Sequence, residues 1–356
     1  MDRATEEQSD YAAELKVALA AAEEAGRMLR ARFGDTWRIG VKGEDGDVVT
    51  ELDLAAERIV LGRLREAFPE DRVWSEEAGV LAGAADRTWL VDPLDGSNNV
   101  AIGLPTYAVG IGLCVAGAPV LGVVHEPHTG ATWHAVRGGG TYGRGGRLGA
   151  DGEGPVLAAG PVPAAGPAAA VGPAAAVGPV PAVGPVPAVG PVPAVGPVPA
   201  VGPVPAAVPV PAAVPVPAAE TLPPDVAVPA SSPRLVVAWT QGHSVRKDDA
   251  LAEALRVALE RRTRRVLALW APLLGWSMLA RGTIDGFVGY CAEAVDFPPG
   301  ALLALEAGCE FRTLEGGPFR VGFAGPDTTR CFVAGRPGVL DRLVALTREA
   351  VGAAVG

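Results

Sequence analysis

The chain has 356 residues, with 30 Lys+Arg against 40 Asp+Glu for a formal charge of -10, and 49% of it is hydrophobic. That acidity excludes a large sequence-independent nucleic-acid surface, which needs Lys and Arg to neutralise phosphates. Cys114, Cys291, Cys309 and Cys331 are widely spaced with no CxxC pair, which excludes a disulfide scaffold and a structural zinc site and reads as reduced cytoplasmic thiols.

In chain order, the N-terminal MDRATEEQSD carries acids and no apolar h-region, so no secretory leader is expected. An Ala/Leu/Glu/Arg-rich stretch from Glu6 to Phe33, stopped by Gly34, predicts a long helix. A second helix is predicted from Glu51 to Phe68, opened by Thr50 and closed before Pro69. Strands are predicted at 73–74, 88–91, 107–115, 120–126 and 132–136, then a glycine-rich loop from Gly138 to Gly146. Gly96 to His125 carries no charge, but its prolines, glycines and the turn at Ala116–Pro119 favour two buried strands over a membrane span. Further on come a strand at 235–240, helices at 248–261 and 272–281, a strand at 284–290, and helices at 299–307 and 337–351. The fold class this predicts is α+β, a layered α-β-α-β arrangement interrupted by a long insertion.

The insertion has its own composition. From Gly154 to Ala219 there is no charged residue, and glycine recurs every six positions from Gly154 to Gly202. Its prolines remove amide donors and block helix and sheet, so the stretch reads as a polyproline-II-rich, disordered loop. Closing such a loop costs about 4 kcal/mol of chain entropy and rises only logarithmically with length. The expected division is therefore 1–150, an insertion at 151–232, and 233–356, the flanks folding together. Replacing 154–219 by a short bridge is expected to leave steady-state kinetics nearly unchanged; a large fall in kcat would show the loop to be part of the machinery.

Four places supply acids with chemical potential: Asp47-Val-Val-Thr-Glu-Leu-Asp53, Trp74-Ser-Glu76-Glu77, Trp89-Leu-Val-Asp92-Pro-Leu94-Asp95-Gly96-Ser97-Asn-Asn99, and Val295-Asp296 ahead of Phe297-Pro-Pro-Gly300. In the third, an apolar strand delivers Asp92, Pro93 forces a turn, and Asp95 follows. Two carboxylates and the Leu94 carbonyl can then face one hard cation such as Mg²⁺. The Gly96 and Ser97 amides lie where a phosphate could sit. Each acid also has a plain structural reading. Asp92 and Asp95 suit a strand-ending turn, Glu76 and Glu77 a solvated pair, and Asp53 a capping box with Thr50. Asp296 suits a helix cap. His125 and His128, on a hairpin turn, read as structural, and Cys291 as a small buried thiol rather than a nucleophile.

Taken together, the Asp92–Ser97 motif, the Glu76–Glu77 pair, Lys42 with the Asp-x-Val-Thr-x-x-Asp element at 47–53, and Asp296 with Gly300 resemble the inositol monophosphatase-like family of metal-dependent sugar phosphatases. His125–Gly130 and Ala135–Gly140 match its hairpin and glycine-rich stretch. The resemblance implies two or three Mg²⁺ ions. Glu76, Asp92 and the Leu94 carbonyl would hold one, Asp92, Asp95 and Asp296 a second, and Glu77 would help a third. Asp53 and Ser97 would orient and deprotonate the attacking water, with Glu76 counted among the catalytic residues, and Gly96 and Ser97 would cradle the phosphate.

The pattern departs from the family at Trp270-Ala-Pro272, where a small Gly-[Ser/Thr]-Ala-Ala run is usual. It departs again at Gly289, where many members have Glu, and at Val295, where Trp is usual. Trp270 and Glu293 would then shape the leaving-group pocket. The implied activity is hydrolysis of a small sugar or cyclitol phosphate, a small-molecule ester, with inositol phosphate, fructose bisphosphate, 3′-phosphoadenosine and histidinol phosphate all open. Neither a membrane nor a nucleic acid is an expected partner, and a homodimer is left open. The alternative is a catalytically silent member acting as a scaffold through its Pro-rich loop.

Overall fold

The computed structural model describes residues 11–35, 37, 39–42, 47–81, 83, 86–148, 235–325 and 330–355. The repeat at 154–219 lies outside these residues. The first helix, α1 (Ala12–Arg32), buries Ala18, Ala21, Ala22, Ala25 and Leu29 at three- and four-residue spacing. β1 (Ile39–Lys42) and β2 (Asp47–Thr50) pair as a two-stranded ribbon leading into α2 (Glu51–Ala67), whose Leu52, Ala56, Val60 and Leu64 face the same core. The alanine-lined face of α1 lets the two helices approach closely over the large sheet.

That sheet has eight strands: β3 (Arg72–Ser75), β4 (Gly79–Leu81), β5 (Arg87–Asp95), β6 (Ala108–Val115), β7 (Ala118–Glu126), β8 (Ala131–Val136), β9 (Gly140–Gly143) and β10 (Gly146–Leu148). Their order is β10-β9-β8-β7-β6-β5-β3-β4, antiparallel except for β3 beside β5. A short helix, α3 (Ser97–Ala101), follows β5. The predicted glycine-rich loop at 138–146 is corrected here: β9 and β10 form an antiparallel pair, and Gly140 and Gly146, at φ +86° and +103°, supply turn geometry that a side chain would resist.

Beyond residue 234 a second sheet of five strands has the order β12-β11-β13-β15-β14, from β11 (Val236–Gln241), β12 (Arg265–Leu267), β13 (Gly286–Ala292), β14 (Glu310–Arg312) and β15 (Arg330–Gly335). α5 (Pro272–Ala280) and α6 (Phe297–Glu306) are apolar on nearly every side, because their core also takes residues from both sheets. α4 (Ala250–Arg262) and α7 (Pro337–Val355) cover the outer face of the small sheet. The layers therefore run α-β-α-β, as predicted, with a further helical layer outside. No helix among the described residues is long and apolar enough to cross a membrane, and 96–125 forms α3, β6 and most of β7.

One packing detail sets the position of α6. Gly112 and Gly122, paired across β6 and β7, face Pro299. A Cβ on Gly122 would lie 2.4 Å from the Pro299 carbonyl oxygen, so only a bare backbone lets the start of α6 lie this close to the sheet.

Candidate active site

Pro93 has no N–H to give the ladder, and the register of β5 against β6 shifts between Asp92 and Asp95. The resulting bulge leaves both acids buried, at 3% and 4% exposure. Asp296 arrives from the other half of the chain as the residue just before α6. It makes no side-chain cap to that helix, which overturns the simple capping role. Carboxylate oxygens of Asp92, Asp95 and Asp296 all lie within 4.8 Å of one another.

Three acids this close repel, and burial raises the cost of charging them. The Asp92 carboxyl is pushed well up by burial, then by Glu76, Asp95 and Asp296, and it shares a hydrogen bond with Glu76. Burial and then Asp296 push Asp95 well up. Asp296 is raised to about 7 by burial, then by Glu76 and Glu293. An all-oxygen donor set, two of its acids buried and Asp296 half-buried, whose like charges oppose one another fits a hard divalent cation such as Mg²⁺.

Glu76, in the turn after β3, is exposed and bonds Asp92, while Glu77 follows it half-buried and lies outside the three-acid group. The turn is held by Glu57 of α2, which accepts from the Ser75 hydroxyl (2.5 Å) and the Ala78 N–H (2.8 Å). Sequence reasoning missed Glu57. Its spacing, one helical turn after Asp53 on the same face, was the available signal.

Asp53 makes the predicted capping box and also reaches Ser97. Its Oδ2 accepts from the Thr50 N–H (2.8 Å) and hydroxyl (2.5 Å), completing a capping box with the Leu52 N–H on Thr50 Oγ1. Its Oδ1 accepts from the Ser97 hydroxyl at 2.5 Å, and Ser97 Oγ also lies 2.9 Å from the Leu94 carbonyl. Thr50 thus fixes one oxygen while the other faces Ser97. Burial raises the Asp53 carboxyl despite these hydrogen bonds. Lys42 and Asp47 pair across β1 and β2, and their side chains lie outside the described residues.

Gly96 has φ +101°, and a Cβ there would meet the Thr106 carbonyl at 2.9 Å, so the turn into α3 requires glycine. Asn99 donates from Nδ2 to the carbonyls of Thr106 (2.7 Å) and Leu269 (2.6 Å). Asp95 Oδ2 accepts the Leu273 N–H at 2.7 Å, in the first turn of α5. These two bonds, unforeseen from the sequence, pin the 269–273 segment of the second half onto the Asp92–Asn99 loop of the first. Between them Trp270 stands 65% exposed at φ +51°. It lines a recess with Thr240 and Pro272, and the same two residues line an adjoining recess with Glu293 and Asp296. Glu293 Oε1 accepts the His243 N–H at 2.8 Å. A Cβ on Gly289 would lie 2.2 Å from the Phe332 ring, so core packing leaves no room there for an acid.

His125 and His128 stay outside this group, as expected. Buried His125 has Nδ1 2.8 Å from Thr132 Oγ1, its ring packs against Gly26 of α1, and burial lowers its pKa to about 4. His128 is exposed beside Phe33.

Residues 10–160 match the inositol monophosphatase family model. Inositol monophosphatase 1 of Solanum lycopersicum is 36% identical over 132 residues, which are 36% of this chain and 48% of that protein. Nus factor SuhB of Escherichia coli K12 is 34% identical over 137 residues, 38% and 51% of the two chains. The chain thus spans about half the length of the curated relatives it matches. Among solved structures, Thermotoga maritima IMPase superposes with a TM-score of 0.63 over 96% of this chain and 99% of that one, at 20% identity. The extragenic suppressor protein suhB of Bartonella henselae gives 0.66 over 95% and 99%, also at 20%, a likeness of fold. Residues 10–160 are thus similar to the inositol monophosphatase family, and the fold of these solved structures extends across both halves of the chain.

Proposed function

We propose that this chain is a Mg²⁺-dependent phosphatase of the cytoplasm that hydrolyses a small phosphate monoester, with sugar or cyclitol phosphates as the substrate class. The observation that carries the proposal is the convergence of Asp92 and Asp95 with Asp296, a residue some 200 positions away, beside an independently anchored Asp53–Ser97 pair. Asp92, Asp95 and Asp296 would hold one ion, and Glu76, Asp92 and the Leu94 carbonyl another. Glu77 has a claim only on a third. Bound Mg²⁺ supplies the positive charge that a phosphate dianion needs in an acidic cleft and makes water a stronger acid.

The chain's own part is positioning and proton handling. Asp53 Oδ1 is the proton acceptor and the Ser97 hydroxyl the relay, each already oriented by Thr50 and the Leu94 carbonyl. A carboxyl raised by burial keeps useful proton affinity nearer neutral pH. The Gly96 turn, which a Cβ would block by meeting the Thr106 carbonyl, would present the Gly96 and Ser97 amides to the phosphate. The leaving group lies toward Thr240, Pro272 and Trp270, with Glu293 as the acid at that end. The full set of acids supports turnover over a silent scaffold.

The test is phosphate release from a panel of monoesters with and without Mg²⁺. Mg²⁺-dependent release from at least one sugar or cyclitol ester is expected, and no release from any ester would overturn the reading. Trp270→Ala is expected to raise KM for the best ester about tenfold while kcat stays within about twofold, because it removes contact with the leaving group made equally in ground and transition states. An unchanged KM would remove Trp270 from the pocket.

A further inference from the structure

Cys291 and Cys331 are half-buried and their sulfurs lie 3.7 Å apart, whereas Cys114 and Cys309 are buried alone. The pair occupies an irregularity between β13 and β15. Gly289 pairs with Phe332 and Ala292 with Arg330, so Tyr290 and Cys291 together face the single residue Cys331. Cys291 has φ +47°, rare for a residue with a Cβ, and its N–H donates to Cys331 Sγ at 3.2 Å. The carbonyl of Cys291 is pressed against Gly242, where a Cβ would come within 2.1 Å. The backbone therefore holds Cys291 from both sides in a conformation that presents its sulfur to Cys331.

We propose that Cys291 and Cys331 are a modification site, closing a reversible disulfide by exchange with a low-molecular-weight disulfide such as oxidised glutathione. The sulfurs need to approach from 3.7 Å to about 2.05 Å, a movement within reach of side-chain rotation in the bulge. The order of steps follows from the surroundings. Burial, Cys331, Asp249 and Glu293 hold the Cys291 thiol up at about 12, so it is a poor first nucleophile. Cys331 therefore attacks one sulfur of the reagent, expelling one glutathione thiolate and forming a mixed disulfide. Capping Cys331 in this way also removes its repulsion of a Cys291 thiolate. Cys291 then attacks the Cys331 sulfur and expels the second glutathione. Two protein thiols are oxidised, the reagent disulfide is reduced to two thiols, and the two protons pass to the departing thiolates through solvent.

The experiment uses the full-length protein, reduced, freed of reductant and incubated with oxidised glutathione. The expected product has lost two hydrogens by intact mass and shows two reactive thiols after denaturation in place of four. It yields a linked Cys291–Cys331 peptide and returns to the starting mass with dithiothreitol. A mass that does not change, or stable glutathione adducts at either position of the wild-type chain, would overturn the proposal. Cys291→Ser should stop at one glutathione on Cys331, and Cys331→Ser should take up little; the opposite pattern would overturn the order of attack. The wild-type measurement needs neither variant to fold, and the reaction does not depend on the phosphatase reading.

Discussion

Asp95→Asn is expected to lower Mg²⁺-dependent phosphate release by roughly 1,000-fold, the scale of losing one well-placed electrostatic group, while raising the melting temperature of the metal-free protein. The two effects have one cause. Asn keeps an oxygen for the Leu273 N–H at the start of α5, so the fold retains its buried hydrogen bond. What disappears is one of three crowded negative charges, which a cation requires and the metal-free fold merely tolerates. The sign can be checked by pH. Asp296 is raised to about 7, so its folded form holds a proton more tightly than its unfolded form. Stability from that proton is present below the unfolded carboxylate range and is lost as pH rises through about 7. His125, lowered to about 4, works the other way only up to its unfolded value near 6.5. Between pH 6.5 and 8 the metal-free wild type should therefore lose melting temperature, Mg²⁺ should restore it, and Asp95→Asn should flatten the slope. Activity within tenfold of wild type would remove Asp95 from the site.

Gly122→Ala is the second large effect. In an ordinary strand an added methyl is tolerated or mildly stabilising. Here it would sit 2.4 Å from the Pro299 carbonyl oxygen and 3.1 Å from the Pro299 Cα, backbone atoms that cannot rotate away. The start of α6 must move outward, and Asp296, the residue before it, moves too. Chemical denaturation should show a loss of about 1–3 kcal/mol, the usual scale of overpacking. Turnover should fall at least tenfold as Asp296 leaves Asp92 and Asp95. Wild-type stability in this variant would mean that the helix is not seated on the glycines.

The parts readable from sequence were those with local causes. Thr50 and Asp53 make their capping box within one helical turn. Pro93 predicts a turn after 88–91, whereas β5 continues through Asp95 and absorbs the proline as a bulge. Asp296 was found only through its resemblance to a family pattern, since nothing within its own segment distinguishes a ligand from a helix cap. Glu57 on Ser75, Asn99 on Leu269 and Asp95 on Leu273 went unread because these partners are 18 to 178 positions apart. The short strands β4, β12 and β14 offer too few residues for a period-two pattern, and β15 depends on its neighbours β13 and β14 for definition. The glycine run at 138–146 misled because Glu306 of α6 ties down the Gly138 and Gly140 amides, a constraint invisible from the run itself.

The hydrogen bond from the Leu273 N–H to Asp95 also has a consequence for biosynthesis. Its partners are separated by 178 positions, and translation at 5–20 residues per second delivers them roughly 10–40 s apart. From the completion of β10 at Leu148 until α5 arrives, the nascent chain carries a large sheet whose glycine-lined face has no helix to cover it. The emerging half should recruit a holdase on the ribosome, and release should coincide with arrival of α5 and α6.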